Sequence, residues 1–108
     1  MSNFFTDNED ILFLFNHINL AEIAALQEDD FIDAKGGPGA EYAPRDAADA
    51  IDNYRRILTI VGQIAGEYVA PRAEQIDREG NTLNEDGTVT LHPLVAQNLQ
   101  DLARADLM

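Results

Sequence analysis

The chain has 108 residues, 45% of them hydrophobic, and 20 acidic against 7 basic side chains give a net charge of −13. That is the size of one small domain, too apolar for a disordered tail and too acidic to favour nucleic acid or an anionic lipid surface. Cysteine is absent, which removes disulfides, thiolate metal sites and cysteine nucleophiles.

The charge is uneven, with nine net negative in residues 1–50 and four in residues 51–108. Solubility is the plain reading of this excess, and an acidic docking surface is the sharper one. No apolar run approaches the ~20 residues of a membrane helix, and the N-terminus lacks the basic start of a signal peptide, so the cytoplasm is the expected compartment. Only seven Gly and four Pro favour helices over a many-stranded sheet.

Asn8 to Asp10 offer capping oxygens and acids before the run ILFLF, which predicts a short helix over Asp10–His17. Ile11, Leu12, Leu14, Phe15 and Ile18 recur at helical spacing, with Phe13 on a second face, so burial on more than one side is expected. A second short helix carries Leu20, Ile23, Ala24 and Leu26 before Gln27–Asp30 turns acidic. His17, with only His92 as a second histidine, reads as a helix-end group and not as a ligand.

Residues 30–45, DFIDAKGGPGAEYAPR, form the one long irregular segment. Gly36, Gly37, Pro38 and Gly39 break any regular element, and the composition predicts a mobile linker. Lys35 beside these glycines does not make a phosphate loop, which needs glycine, then lysine, then Ser or Thr.

Asp46 then caps the main helix, with Asp49 and Asp52 near its positive end. Apolar positions from Ala47 through Ile51, Tyr54, Leu58, Val61, Ile64, Tyr68, Val69 and Ile76 repeat in steps of three and four, the strongest helical signal in the chain. Gly62 and Gly66 form a small-xxx-small pair that costs roughly 1 kcal/mol per glycine against alanine and predicts close approach of another helix backbone. Pro71 predicts a kink or a new first turn, and Arg72 lies on the same apolar stripe as Val69 and Ile76. Arg78 suits the negative end of the helix, and Gly80 suits a left-handed cap.

Asp86-Gly87 lies between β-prone pieces and signals a small hairpin. His92-Pro93 opens a last helix carrying Leu94, Val95, Leu99, Leu102 and Ala103 to about Ala105. The ending DLM has no cap and fits the edge of a further domain better than a natural terminus. The fold expected is all-α: two short helices, one long kinked helix and one C-terminal helix, with a turn-rich loop around residues 80–91.

No catalytic, cofactor-binding or metal-binding residue can be read. No calcium loop fits, because centring one on Gly87 puts Thr82 first and Pro93 last. No G-x-S-x-G, H-E-x-x-H or G-x-G-x-x-G occurs. Glu28, Asp29 and Asp30 read as a solvated acidic face, and Tyr54 and Tyr68 as core residues with a hydroxyl at the surface. Arg55 and Arg56 read as surface or inter-helix partners. The residues singled out are therefore structural, for helix packing and inter-domain contact: Gly62, Gly66, Tyr68, Val69, Pro71, Arg72 and Ile76.

The stretch GEYVAPRAEQIDREG (66–80), followed by a loop and a helix ending LQDLARADLM, resembles the opening of FAD-dependent acyl-CoA dehydrogenases. There a long helix ending in APxAxxxDxxG leads through a loop to a helix rich in Leu and Ala. DREGNTLNEDGTVTLHP resembles the longer loop of a bacterial branch with larger subunits, which includes the 3-methylmercaptopropionyl-CoA dehydrogenases. EDILFLFNHI with LAEIAAL is similar to the extra N-terminal helical segment of that branch, so the resemblance covers roughly residues 8–30 and 46–108.

The resemblance implies an N-terminal helical extension (1–30) and the dehydrogenase N-terminal helical domain (46–108), on either side of the flexible linker (31–45) that the composition predicts. It implies a parent enzyme that removes the α-proton of an acyl-CoA thioester with a carboxylate base and passes a hydride to FAD. Electrons then go to an electron-transfer flavoprotein. The flavin site and the base would lie in middle and C-terminal domains beyond residue 108, so none of Glu67, Glu74 or Glu79 is that base. The 108 residues are expected to be inactive alone and to bind no FAD, with the remaining domains as partners, a homo-oligomeric state, no nucleic acid and no membrane span. Apolar surface left for such partners is expected at Val61, Ile64, Tyr68, Val69, Ile76, Leu99 and Leu102. A rival of another class is a free-standing acidic helical adaptor for a basic protein partner.

Overall fold

Local capping chemistry sets where the helices begin. In the computed structural model, which describes residues 2–108, Asn8 Oδ1 accepts the N–H groups of Asp10 and Ile11 at 3.1 Å and starts α1 (Glu9–His17). Asn19 Oδ1 accepts from Glu22 at the start of α2 (Leu20–Gln27). Asp46 Oδ1 accepts from Asp49 at 2.9 Å and caps α3 (Ala47–Ile64). A π-helical turn, Ala65–Val69, joins α3 to α4 (Ala70–Glu79). Two short strands, β1 (Thr82–Leu83) and β2 (Val89–Thr90), precede α5 (Pro93–Arg104). The described residues are thus mainly α-helical, with five α-helices and one two-stranded sheet.

The long helix widens into a π turn just ahead of its proline. Pro71 has no N–H to give the preceding turn, and it falls in the first turn of α4. Ahead of it the ladder widens, and the Ala70 N–H reaches back five residues to the Ala65 carbonyl. Helical dihedrals persist through Val69 and Ala70. Arg78 is in the last turn of α4, and Gly80 ends it at φ 69° with its N–H on Ile76 O at 2.7 Å. Its ψ of −176° is extended, so Gly80 has the predicted positive φ without being a left-handed helical cap. That combination of angles is open essentially to glycine alone.

Asp86-Gly87 does turn a hairpin. Gly87 has φ 85°, and β1 and β2 pair antiparallel with Thr82 opposite Thr90 and Leu83 opposite Val89. The Asn84 N–H donates to Thr88 O, and Asp86 Oδ1 accepts both the N–H and the hydroxyl of Thr88. Those bonds hold the Asp86 carboxyl below its ordinary value.

Residues 29–35 differ from the expected linker. Asp29–Lys35 forms 3₁₀ turns, entered through Asp29, Asp30 and Phe31 at φ 47°, 53° and 61°. Asp tolerates the left-handed region, but a bulky residue such as Phe31 is strained there, and nothing in the local sequence signals it. From Gly36 onward only isolated turn bonds remain, among them Tyr42 N–H to Gly39 O at 3.0 Å.

By contact density the chain divides into two compact units, Asn8–Thr59 and the residues up to Asp7 with Ile60–Met108. The division falls inside α3. In Asn8–Thr59 the buried apolar residues are Ala24 and Ala50, and in the other unit they are Phe5 and Ile64. Both cores are thin, as expected for so short a chain.

Candidate functional site

The glycine pair of the long helix faces a different neighbour from the one predicted. Gly62 and Gly66 are both buried, but the backbone that approaches them is the chain's own N-terminal turn, not a helix. The Phe4 N–H donates to the Gly62 carbonyl at 3.0 Å. A Cβ at Gly62 would lie against Asn3 Oδ1 and 2.7 Å from Phe5 N, and one at Gly66 would strike the Ser2 carbonyl. The notch is therefore filled within one chain and is not open to a second copy.

The N-terminal turn carries its own bonds. Asn3 Oδ1 accepts the N–H groups of Phe5 and Thr6 at 2.9 Å, and the Asn3 N–H donates to Asp7 Oδ2 at 2.9 Å. Phe5 supplies the apolar mass of this contact and is almost fully buried.

Tyr68, Val69, Pro71, Arg72 and Ile76 fall on the π turn and α4. Arg72 Nη1 donates to Asn98 Oδ1 at 2.9 Å and to Asp101 Oδ2 at 2.7 Å, with its guanidinium 5.9 Å from the Tyr68 ring. The Arg72 bond is the main reason the Asp101 carboxyl titrates below its ordinary value. Val69 and Ile76 are half-buried and Pro71 is exposed.

At the other end of the same helix pair lies the only buried polar side chain among the described residues, His92. Its Nδ1 accepts the Leu94 N–H at 3.0 Å and caps α5, while Nε2 lies 2.9 Å from Glu79 Oε2. With Nδ1 accepting, the neutral ring carries its proton on Nε2 and donates to the carboxylate. The backbone N–H of His92 also donates to Asn81 Oδ1 at 2.9 Å. The His92 bond, helped by Gln75, holds Glu79 below its ordinary value. Sequence reading gave His92-Pro93 as a helix start but not the capping ring. The available signal was its position, one residue before a proline at N1. Contacts of Glu79 with His92 and of Arg72 with Asp101 run α4 and α5 antiparallel.

In Asn8–Thr59, Tyr54 Oη donates to Glu28 Oε1 at 2.8 Å, and burial followed by that bond raises the phenol above its usual range. Arg56 pairs with Asp52 one turn away, whereas Arg55 reaches Asn16 at 3.2 Å with its guanidinium 4.7 Å from the Phe15 ring centre. Arg55, Phe15, Ile18, Leu20 and Ile51 line an open groove of about 300 Å³.

These contacts position helices. His92 ends on the cap of α5 and on Glu79, Arg72 and Asp101 meet across α4 and α5, and Tyr54 ends on Glu28 at the end of α2. Among the described residues, no group of three or more His, Cys, Asp or Glu side chains is placed to hold a metal ion. No helix among them is long and apolar enough to cross a membrane.

The predicted apolar surface is partly corrected. Ile64 is buried and Val69, Ile76 and Leu102 are half-buried, whereas Val61, Tyr68 and Leu99 remain exposed. No protein-family model, no curated protein and no solved structure matches the chain.

Proposed function

We propose that these residues are the N-terminal helical part of an FAD-dependent acyl-CoA dehydrogenase and serve to fold and position the domains that hold its sites. The pattern GEYVAPRAEQIDREG carries this reading through its position. It closes a long helical run, Gly80 ends that run, and a hairpin leads into the Leu- and Ala-rich α5. Arg72 and His92 lock the helix pair without presenting a reactive group to a cavity, which suits a supporting role.

In this reading FAD, the acyl-CoA thioester and the catalytic carboxylate belong to middle and C-terminal domains of the same chain. The enzyme is cytoplasmic and homo-oligomeric and delivers electrons to an electron-transfer flavoprotein. Val61 on α3, Tyr68 on the π turn and Leu99 on α5, all exposed, supply apolar contacts to those domains. Reading the gene past codon 108 tests the proposal. An open frame continuing into a β-rich segment with Pro and Tyr-Gly-Gly supports it, and a stop codon directly after Met108 overturns it.

A further inference from the structure

The exposed apolar side chains of α1 and α2 repeat one pattern. Asp10-Ile11-x-x-Leu14 in α1 and Glu22-Ile23-x-x-Leu26 in α2 each put a carboxylate before an isoleucine and a leucine three residues on. At about 100° per residue, isoleucine and leucine form one stripe and the carboxylate borders it on the leucine side, one turn back. Ile11, Leu14, Ile23 and Leu26 are 43%, 53%, 48% and 80% exposed, and both carboxylates are exposed as well. Single exposed apolar residues are ordinary, but a repeated acid-edged stripe on consecutive helices is not. Helix α1, despite its ILFLF core, contains no buried residue at all.

Charge decides which occupant fits. Residues 1–50 contain only Lys35 and Arg45 as bases against eleven acids. A second copy would bring the same carboxylates to the same edges, and an anionic membrane is repelled. An amphipathic helix whose leucine ridge is bordered by Lys or Arg satisfies both features of the stripe. We propose that these acid-edged stripes dock basic amphipathic helical segments of a partner protein. Leucines of the partner would lie on Ile11, Leu14, Ile23 and Leu26, and its cations against Asp10 and Glu22. This does not rest on the dehydrogenase reading, which residues 66–80 carry.

Fluorescence anisotropy on the 108-residue protein tests the proposal with two labelled helical peptides. They share one leucine ridge, flanked by Lys in the first and by Glu in the second. The Lys peptide should bind saturably, weaken as salt screens the pairs, and bind about tenfold tighter than its Glu twin. Leu14→Ser with Leu26→Ser should weaken it by a similar factor, and Asp10→Lys with Glu22→Lys should reverse the peptide preference. All four positions are exposed, and circular dichroism should show the helices of each variant retained. A small loss is allowed for the charge reversals, because Asp10 and Glu22 lie in first turns and Glu22 accepts from Asn19. Equal binding of both peptides, or no saturable binding, overturns the proposal. So does sedimentation showing a dimer that Leu26→Ser dissolves, because a second copy would then own the surface.

Discussion

Arg72 and Asp101 lie 29 residues apart in sequence and meet at 2.7 Å, and the same Arg72 nitrogen holds Asn98 at 2.9 Å. This branched contact sits where the helix has just passed its π turn and Pro71. Both side chains are only 21% and 16% exposed, unlike the Arg56–Asp52 pair of α3 at 71% and 54%, which is expected to contribute little. Arg72→Met should therefore lower the melting temperature by several degrees, whereas Arg56→Met should leave it nearly unchanged. A double-mutant cycle of Arg72→Met with Asp101→Asn should show clear coupling. Additive losses would show that the two residues act separately.

The N-terminal turn over Gly62 gives a second expectation. Gly62→Ala should cost about 1–3 kcal/mol, because the new methyl overpacks against Asn3 and Phe5. In a chain starting at Asp7 the same substitution should be neutral or gain up to about 1 kcal/mol of helix propensity. Urea unfolding of the four proteins measures this. An equal penalty in both backgrounds would mean that something other than residues 2–6 fills the notch.

The sequence announced those features whose cause is local. Asn8 and Asp46 are capping residues beside apolar periodicity, Asp86-Gly87 is a turn pair between β-prone residues, and His92-Pro93 starts a helix. Each forms as its own side-chain chemistry dictates. What lay outside local chemistry was not legible. Gly62 and Gly66 signal that backbone comes close, but they do not say that the visitor is Ser2–Phe5 and not a helix. The left-handed Asp29–Phe31 entry into a 3₁₀ segment is a strained choice that propensity never favours. The Arg72 clamp was visible only as an arginine on an apolar stripe, with its acceptors 26 and 29 residues away.

Acid should release the clip between α4 and α5. Glu79 titrates below its ordinary value in the folded chain because His92 donates to it. The unfolded chain therefore binds more protons near the ordinary carboxylate range, and stability rises with pH there. This contribution is complete above the unfolded Glu value of about 4.3 and is lost as pH falls through the depressed folded value. Relief of the −13 self-repulsion acts in the opposite direction, so the comparison should be with Glu79→Gln, which still accepts from His92 Nε2. Below the unfolded Glu value, stability of the parent should fall more steeply than that of Glu79→Gln. Parallel curves would remove Glu79 from the account.

Residues 36–45 should be the first site of proteolysis. Gly36, Gly37 and Gly39 all have positive φ, short turn bonds hold the segment until Arg45 meets Asp49, and Tyr42 is 81% exposed. Dilute trypsin should cut after Lys35 or Arg45 before any site in α3 or α4. Early cleavage after Arg55 or Arg56 would place the weak point within α3.

Flavin reduction tests the proposed parent enzyme most directly. The protein encoded by the intact reading frame around codons 1–108 should purify yellow with FAD and bleach anaerobically when an acyl-CoA is added. The 108 residues alone should stay colourless, with no saturable change in FAD fluorescence. An intact gene product without flavin, or one whose flavin no acyl-CoA reduces, would contradict the dehydrogenase assignment.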